Sequence, residues 1–509
     1  MFKKKRKFPS IMIEAEKHIE QWRASLLKQV HPRLDIAIYL LVSTACSYIG
    51  YETKRQMPHN VAILELFIRK MLFGLQFALS GLEGNLPEGC FIEDFVVDTL
   101  NAEDVRRAFE AIQYMSHYAQ ARDIFLTYAW GEYELENPTK RVLRFVDPPG
   151  WTGSRDRAQQ IINQKIKEDE ALSALTQLFN FRLIKPIHLM LEQIVEVPLF
   201  LSFGNLTATQ FASAWLGLTF HFSPYWLNGQ TLIIDKKVLI GKVQRIANLS
   251  FSETERFINL VTFDRRGPAA LTLFHCPLVP VTTSSFLVVT PGFIFGNPST
   301  CIPRLAIHRG PGLDIFAKNI ERHLLNKLKT QFEIKGVTIN LNIPYSGKDD
   351  KGDLDLVVYE AASNRLLIAQ VKGFIHPDTV EEVVRANQAI KEGLHQVERA
   401  RRWLKNLPFS QWAGALKLPL SQASPKVRFA VIGNGFTGSD YIQFPNDVSC
   451  ADARYLLLPK FTRKSIFYAI ESYEKLLSEE SKKATKNINF NSFKLADITI
   501  EIPSWKIHI

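Results

Sequence analysis

Two neighbouring runs of the chain carry polar side chains inside apolar segments. The first, GDLDLVVYE at 352–360, and the second, RLLIAQVKGF at 365–374, both have the composition of buried β-strands. Because side chains alternate between the faces of a strand, Asp353 and Asp355 project together from the first run, and Gln370 and Lys372 project together from the second. Buried polar groups need partners. The pattern therefore predicts a cluster of two acids, an amide and a lysine.

An upstream helix adds a third acid. If residues 313–329 are helical, Glu321 falls on the same face as Leu324, Leu325 and Leu328, which is the apolar side. An ionised carboxylate there is costly unless a cation or a metal ion accompanies it. Acid oxygens suit Mg²⁺, and an adjacent lysine can orient or help deprotonate an attacking water and stabilise a phosphate. The predicted chemistry is metal-assisted hydrolysis of a phosphodiester.

Six elements are needed to position these residues. Periodicity and turn residues predict a helix at 313–329, strands at 337–343, 353–359 and 366–373, a helix at 379–404 and a strand at 427–433. The order αβββαβ describes one compact α/β module.

These residues and their order resemble the PD-(D/E)XK nuclease superfamily, which has the restriction-endonuclease-like fold. Its signature is an acid on one strand, followed on the next strand by an acid, a spacer residue and a lysine, behind a helix that often carries a glutamate. The matching positions are Asp355, then Gln370-Val371-Lys372, with Glu321 on the helix. Glutamine at the first position of the second half is similar to the QxK version of Mrr-like restriction endonucleases. The resemblance covers residues 311–433, about a quarter of the chain.

The resemblance implies a fold and a set of roles. The fold is a mixed central sheet flanked by helices. Asp355 is then the main metal ligand, Gln370 offers its side-chain carbonyl, the backbone carbonyl of Val371 completes the metal site, and Lys372 is the catalytic lysine. The implied metal is Mg²⁺, with Mn²⁺ as a substitute.

Two further acids belong to the same expected site. Glu321 is expected to serve both catalysis and the metal, and Asp353 is expected as either a metal ligand or a solvated neighbour. Glutamine carries one negative charge fewer than glutamate, so the QxK version implies weaker binding of a second ion.

The helix at 379–404 carries candidate contacts to nucleic acid. In the family that this chain resembles, the corresponding helix flanks the active site and touches the nucleic-acid backbone. This implies such a role for Gln396, Arg399 and Arg402. The alternative is a solvated face whose cations lie near the negative end of the helix dipole.

Composition limits the class of protein. The 509 residues predict two to four domains, and 46% hydrophobic with 22% charged residues is typical of a soluble globular chain. A formal charge of +11 favours a polyanionic partner such as nucleic acid. Five scattered cysteines predict neither a disulfide framework nor a zinc site, and with no secretory signal they indicate a reducing, cytoplasmic location.

The remaining sequence divides by pattern. We expect a mainly helical region at 1–205, a β-rich connecting region at 206–310, the nuclease-like α/β domain at 311–460, and a C-terminal helix and strand extension at 461–509. The apolar run at 36–50 is shorter than the roughly 20 residues of a membrane-spanning helix, so it predicts a buried core helix and no membrane partner.

The expected function is a metal-dependent nuclease, with DNA favoured as substrate, acting in defence against foreign DNA or in repair. The helical region is expected to supply substrate recognition, regulation, or a surface for a partner protein or a second copy. Two alternatives stay open. One is a catalytically inactive nuclease fold kept as a scaffold or nucleic-acid-binding subunit. The other is purely structural, with Lys372 as an ion-pair partner for Asp353 and Asp355.

Overall fold

A computed structural model of the chain describes residues 7–56, 61–88, 102–131, 133–136, 138, 141–146, 154–155, 158–159, 161–162, 202–227, 230–267, 271–296, 298–310, 313–347, 351–375, 377, 380–419, 424–439, 442–483, 489–495 and 497–504. The chain forms two compact units. The first comprises Met1–Val146, Leu199–Gly312 and Asn489–Ser504, and the second comprises Asp147–Pro198, Leu313–Ile488 and Trp505–Ile509.

The α-helices of the described residues are α1 (Ser10–Val30), α2 (Leu34–Gln56), α3 (Val61–Ser80), α4 (Ala102–Ala129), α5 (Ala208–Leu227), α6 (Lys236–Ala247), α7 (Phe251–Val261), α8 (Thr290–Phe295), α9 (Pro298–Arg309), α10 (Leu313–Phe332), α11 (Val380–Lys405), α12 (Phe409–Ala415), α13 (Ala453–Leu456) and α14 (Ile466–Lys483).

The strands are β1 (Glu134–Glu136), β2 (Val142–Val146), β3 (Ser202–Phe203), β4 (Leu206–Thr207), β5 (Leu232–Asp235), β6 (Leu278–Pro280), β7 (Ser285–Val288), β8 (Val337–Ser346), β9 (Lys351–Glu360), β10 (Arg365–Lys372), β11 (Lys426–Gly433), β12 (Val448–Asp452), β13 (Asn489–Leu495) and β14 (Ile498–Ser504). They form sheets of order β1-β2-β14-β13, β5-β7-β6, β3-β4 and β12-β11-β10-β9-β8. The protein is therefore of mixed α/β class.

The first unit is mainly helical, with small sheets. One core joins α1 and α4 to the sheet that contains β2 and β14, and its buried residues include Met12, Phe125, Leu143 and Ile500. β14 pairs with β2 in parallel and with β13 in antiparallel orientation. The predicted extension at 461–509 is thus shared between the units, because its helix α14 belongs to the second unit and its two strands to the first.

Helix α2 contains the apolar run at 36–50. Ile38, Leu41 and Ile49 are fully buried, as expected of a core helix. The helix is 23 residues long, which exceeds the predicted run. Among the described helices, the stretch Leu34–Thr53 of α2 alone has the length and composition needed to cross a membrane, and 67% of its most apolar part is buried inside the protein.

The prediction of a β-rich region at 206–310 is wrong. Most of that region is helical, α5 to α9, and its strands β5, β6 and β7 are three or four residues long. The run TLIIDKKVLIGKV ends its strand at Asp235, whose side chain accepts hydrogen bonds from the backbone N–H groups of Lys237 and Val238 and so caps α6. The run FINLVTFD begins inside α7, which starts with a capping box between Ser250 and Glu253. Short apolar runs do not by themselves distinguish a strand from a buried helix, and here the caps decide.

The second unit contains the predicted αβββαβ order, with every boundary within a few residues of expectation. β8, β9 and β10 form an antiparallel meander, and α11 crosses over so that β11 lies parallel to β10. One face of this sheet packs on α11, with Val357, Ile368 and Val431 buried against Ile390 and Val397. β12 extends the sheet in parallel beside β11 and was not predicted.

The glycine-rich turn after β11 holds the segment that follows β10. Asn434 is fully buried, its Oδ1 accepts the N–H of Phe374 at 2.9 Å, and its Nδ2 donates to the carbonyl of Phe374 at 2.5 Å. Gly435 and Gly438 have φ of 81° and 93°, where a Cβ would be strained. The turn therefore fixes the backbone two residues beyond Lys372.

Candidate active site

The site forms where β9 and β10 stop pairing. The last paired residues are Ala369 and Leu356. Beyond this pair, hydrogen bonds that involve side chains connect the two strands. The N–H of Val371 donates to Oδ2 of Asp355 at 2.8 Å, and Nε2 of Gln370 donates to the carbonyl of Asp353 at 2.8 Å. Each strand thus anchors a polar side chain of the other. Asp355 and Gln370 are held in fixed positions at an opening in the sheet.

Helix α10 brings Glu321 to the same place. Leu324 and Leu328 are buried on the helix face predicted from their spacing, and Glu321 lies half-buried on that face. Its Oε1 accepts the N–H of Gly373 at 3.1 Å. Gly373 directly follows Lys372, so this bond places the third predicted acid beside the end of β10.

Lys372 is half-buried and packs against α11 at Gly393. A Cβ added to Gly393 would lie 3.3 Å from both Cγ and Cε of Lys372, and 3.0 Å from Cγ1 of Val431. Among the described residues no carboxylate lies within 4.0 Å of the Lys372 ammonium. Its charge nevertheless acts on Asp355 and Glu321, whose pKa values it lowers. The amine therefore lies close to the acids without forming an ion pair with them.

Burial dominates the electrostatics of the acids. The pKa of Asp355 is raised to about 6, chiefly by desolvation, and Glu321 and Asp353 contribute to the increase. Lys372 and the N–H of Val371 oppose it. Desolvation also raises the pKa of Glu321, and the negative charges of Glu392 and Asp353 raise it too. Asp353 itself is exposed. A concentration of partly desolvated negative charge binds cations more readily than the same acids in water.

The donor set fits one divalent ion of the magnesium type. Gln370 is 1% exposed, and its Oε1 is buried with no hydrogen-bond partner among the residues that the structure describes. An unsatisfied buried carbonyl is costly and calls for an explanation such as an ion. Within the described residues no three His, Cys, Asp or Glu side chains are arranged as a metal centre. The candidate ligands at the strand opening are Asp355, Gln370 and the backbone carbonyl of Val371, with Glu321 and Asp353 as the further expected acids. Mg²⁺ commonly retains several waters beside such ligands.

The predicted nucleic-acid contacts lie on two faces of α11. Gln396 shares the inner stripe of the helix with Gly393, Val397 and Ala400, and no described residue forms a hydrogen bond with its buried Oε1. Arg399 and Arg402 are exposed. The structure therefore brings Gln396 to the sheet side of α11 and leaves the two arginines on its solvent side.

Sequence reasoning missed Glu392, Gly393 and Asn434. Glu392 acts on the pKa of Glu321 across elements distant in sequence. Gly393 carries no polar group, but it lies three residues before Gln396, and a glycine inside a helix signals close approach of a neighbour. Asn434 lies in the glycine-rich turn after β11, and no local pattern marks it as a support for the segment after β10.

Gly393→Ala should lower catalytic activity about tenfold with little change in the free energy of unfolding. The new methyl group displaces Lys372, and a small misplacement of a catalytic group is costly. Alanine favours the helix over glycine by about 1 kcal/mol, and this gain in stability offsets part of the cost of crowding. Single-turnover rates and denaturant melts measure the two effects.

Gly414→Ala is the matched control for this change. Gly414 lies in α12 of the same unit, and nothing lies within 4 Å of its added Cβ. We expect unchanged activity and a gain of up to about 1 kcal/mol in stability. Equal activity of both variants would show that the contact between Gly393 and Lys372 does not position the lysine.

The chain was compared with protein-family models, with curated proteins and with solved structures. None of the three comparisons gives a match. The functional assignment therefore rests on the geometry and chemistry of the site itself.

Proposed function

We propose that the chain is a metal-dependent nuclease, with a restriction-endonuclease-like core in its second unit and DNA as the favoured substrate. One observation carries the proposal. Where β9 and β10 separate, Asp355, Gln370, Lys372 and Glu321 converge from three elements. In the described part of the chain, the buried side-chain carbonyl oxygen of Gln370 has no hydrogen-bond partner. A structural polar cluster would instead be expected to satisfy its members.

The sheet supports the same proposal. Three antiparallel strands, a crossover helix and a parallel strand, preceded by a helix bearing Glu321, follow the order that the PD-(D/E)XK resemblance implies. The acid strand is β9, and the QxK strand is β10 at its centre. Burying polar residues at the end of a central strand costs free energy, and this favours a functional reason for their presence.

The chain's own residues then divide the work. Asp355, Gln370 and the Val371 carbonyl would hold the ion, which when bound acts as a Lewis acid and lowers the pKa of water. Lys372, held on Gly393, orients the attacking water and stabilises negative charge on the phosphate. Glu321 keeps the end of β10 in place through the N–H of Gly373.

Helix α11 is the proposed surface for the nucleic-acid backbone. Arg399 and Arg402 offer exposed cations, and Gln396 offers an amide nearer the sheet. Phosphate contacts of this kind position a substrate without reading its sequence. The helical first unit is the proposed site of recognition, regulation, or association with a partner or a second copy, and the proposed setting is cytoplasmic defence or repair.

A substrate panel tests the proposal. Supercoiled plasmid, linear duplex, single-stranded DNA and RNA are each incubated with the full chain in Mg²⁺, Mn²⁺ or EDTA. We expect cleavage of DNA in Mg²⁺ or Mn²⁺ and none in EDTA. Cleavage of RNA alone would contradict the DNA preference, and cleavage that is undiminished in EDTA would contradict the metal-dependent mechanism.

The second candidate is a nuclease fold that binds nucleic acid without cutting it. The observation that favours it is the replacement of an acid by Gln370, which lowers the charge available to a metal ion. A gel-shift assay on the same samples distinguishes the two candidates. Metal-independent binding with no cleavage of any substrate would favour this one.

A further inference from the structure

The first unit contains a second candidate site, a cavity of about 430 Å³. Its walls come from α1, α3, α4 and the turn at 263–267. This volume lies within the roughly 300–1,000 Å³ range of small-molecule pockets and is too small for a nucleic-acid duplex. The side chains that bear on its chemistry are Arg23, Phe77, Tyr118, Arg122, Arg265 and Arg266.

Two of the arginines are fixed by backbone carbonyls. Nη2 of Arg23 donates to the carbonyl of Phe77 at 2.9 Å. Nη1 of Arg265 donates to the carbonyl of Leu82 at 3.1 Å, and its Nη2 to the carbonyl of Gly84 at 3.2 Å. A carbonyl orients a guanidinium but does not neutralise its charge. These cations are therefore held in position before any ligand arrives, which lowers the entropic cost of binding.

The cavity has an excess of positive charge. Four arginines line it against two acids, Glu20 and Asp264. Glu20 is already engaged, since it pairs with Arg23 and accepts a short hydrogen bond from Tyr118. Burial lowers the pKa of Arg265, the charge of Arg266 lowers it further, and the charge of Asp264 opposes both effects. An anion between these groups would relieve their repulsion.

Arg122 and Arg266 are the arginines best placed to bind that anion. Arg122 lines the cavity over the ring of Phe77, with its Cζ 5.5 Å from the ring centre. Burial raises the pKa values of Glu16 and Asp123, and the charge of Arg122 lowers them. Arg266 is exposed, and its backbone N–H is fixed to Oδ1 of Asp264 at 2.9 Å. Guanidinium groups match phosphate oxygens in geometry and charge.

We propose that this cavity binds a phosphorylated small molecule of about nucleotide size, with its phosphate on Arg122 and Arg266. Phe77 and Tyr118, which lie beneath Arg122 and Arg23, form the aromatic part of the wall. The proposal does not depend on the nuclease assignment, because none of its residues belongs to the second unit.

Isothermal titration of the full chain tests the proposal, with pyrophosphate, ATP and adenosine as probes in 100 mM salt. We expect saturable binding of pyrophosphate and ATP at one site per chain and no binding of adenosine. The double variant R122Q and R266Q should bind about tenfold more weakly or worse, because it loses two charge-assisted contacts.

The control is the double variant Lys237→Gln and Arg245→Gln. It removes the same two charges from exposed positions of the first unit outside the cavity. We expect it to bind like the wild type. Failure of both phosphorylated probes to bind at millimolar concentration would overturn the proposal. Equal weakening of both double variants would also overturn it, because binding would then reflect net charge alone.

Discussion

Lys372→Ala is expected to lower the rate of nucleic-acid cleavage by about 10³-fold or more. Among the described residues, this amine is the only cation that acts on both Asp355 and Glu321, and its stem is packed on Gly393. Its loss removes the group that stabilises phosphate charge and orients water. Single-turnover cleavage at saturating protein measures the loss, and a gel shift at matched salt should find binding largely retained.

Lys426→Ala is the control for this prediction. Lys426 lies opposite Arg365 at the far end of the same sheet and is exposed. Its removal subtracts the same charge from the same unit without touching the site. We expect wild-type cleavage from it. A Lys372→Ala protein that cuts as fast as the wild type would exclude the lysine from the mechanism.

Asp355→Asn is expected to abolish cleavage and at the same time stabilise the metal-free fold. The pKa of Asp355 is about 6 in the folded protein, against an ordinary value of 3.8, chiefly because burial penalises its charge. At neutral pH the ionised carboxylate therefore destabilises the native state, by about 3 kcal/mol. Asparagine keeps an oxygen that accepts the Val371 N–H but carries no charge. Thermal or denaturant unfolding in EDTA measures the gain.

The sign of the pH dependence follows from the same pKa. Between pH 4 and pH 6 the native Asp355 retains a proton that the unfolded chain has already lost. The contribution of this group to stability is therefore fully present below pH 4 and falls as the pH rises through 6. In EDTA, the difference in the free energy of unfolding between the wild type and Asp355→Asn should show this dependence on pH. Mg²⁺ should stabilise the wild type more than the variant.

Asp353→Asn provides the matched comparison. Asp353 lies two residues away on the same strand and is exposed, so its substitution should leave the free energy of unfolding nearly unchanged. A large loss of cleavage would identify Asp353 as a ligand, and wild-type cleavage would identify it as a solvated neighbour. If Asp355→Asn instead destabilises the metal-free protein, Asp355 is a structural ion-pair partner and the active-site assignment fails.

The local part of the site could be predicted from sequence. Alternation along two apolar strands brought Asp355, Gln370 and Lys372 together, and helical spacing turned Glu321 inward. These patterns repeat within a few residues, so they can be recognised without knowledge of the rest of the fold. The structure agrees with them through the hydrogen bonds to Val371 and Gly373.

The remainder depends on contacts between segments distant in sequence. Nothing local shows that Gly393 receives Lys372 or that Asn434 holds Phe374, because each contact joins different elements. The β-rich prediction for 206–310 failed for another reason. The apolar runs of this region have the composition of strands, but the capping residues Asp235 and Ser250 begin helices within it.

The most direct test of the central claim compares wild type and Asp355→Asn on end-labelled linear duplex and on plasmid, each in Mg²⁺ and in EDTA, with binding measured on the same samples. We predict that both proteins bind the DNA and that only the wild type in Mg²⁺ cuts it. Binding without cutting by the wild type in Mg²⁺, or cutting by Asp355→Asn at the wild-type rate, would contradict a metal-dependent nuclease centred on Asp355.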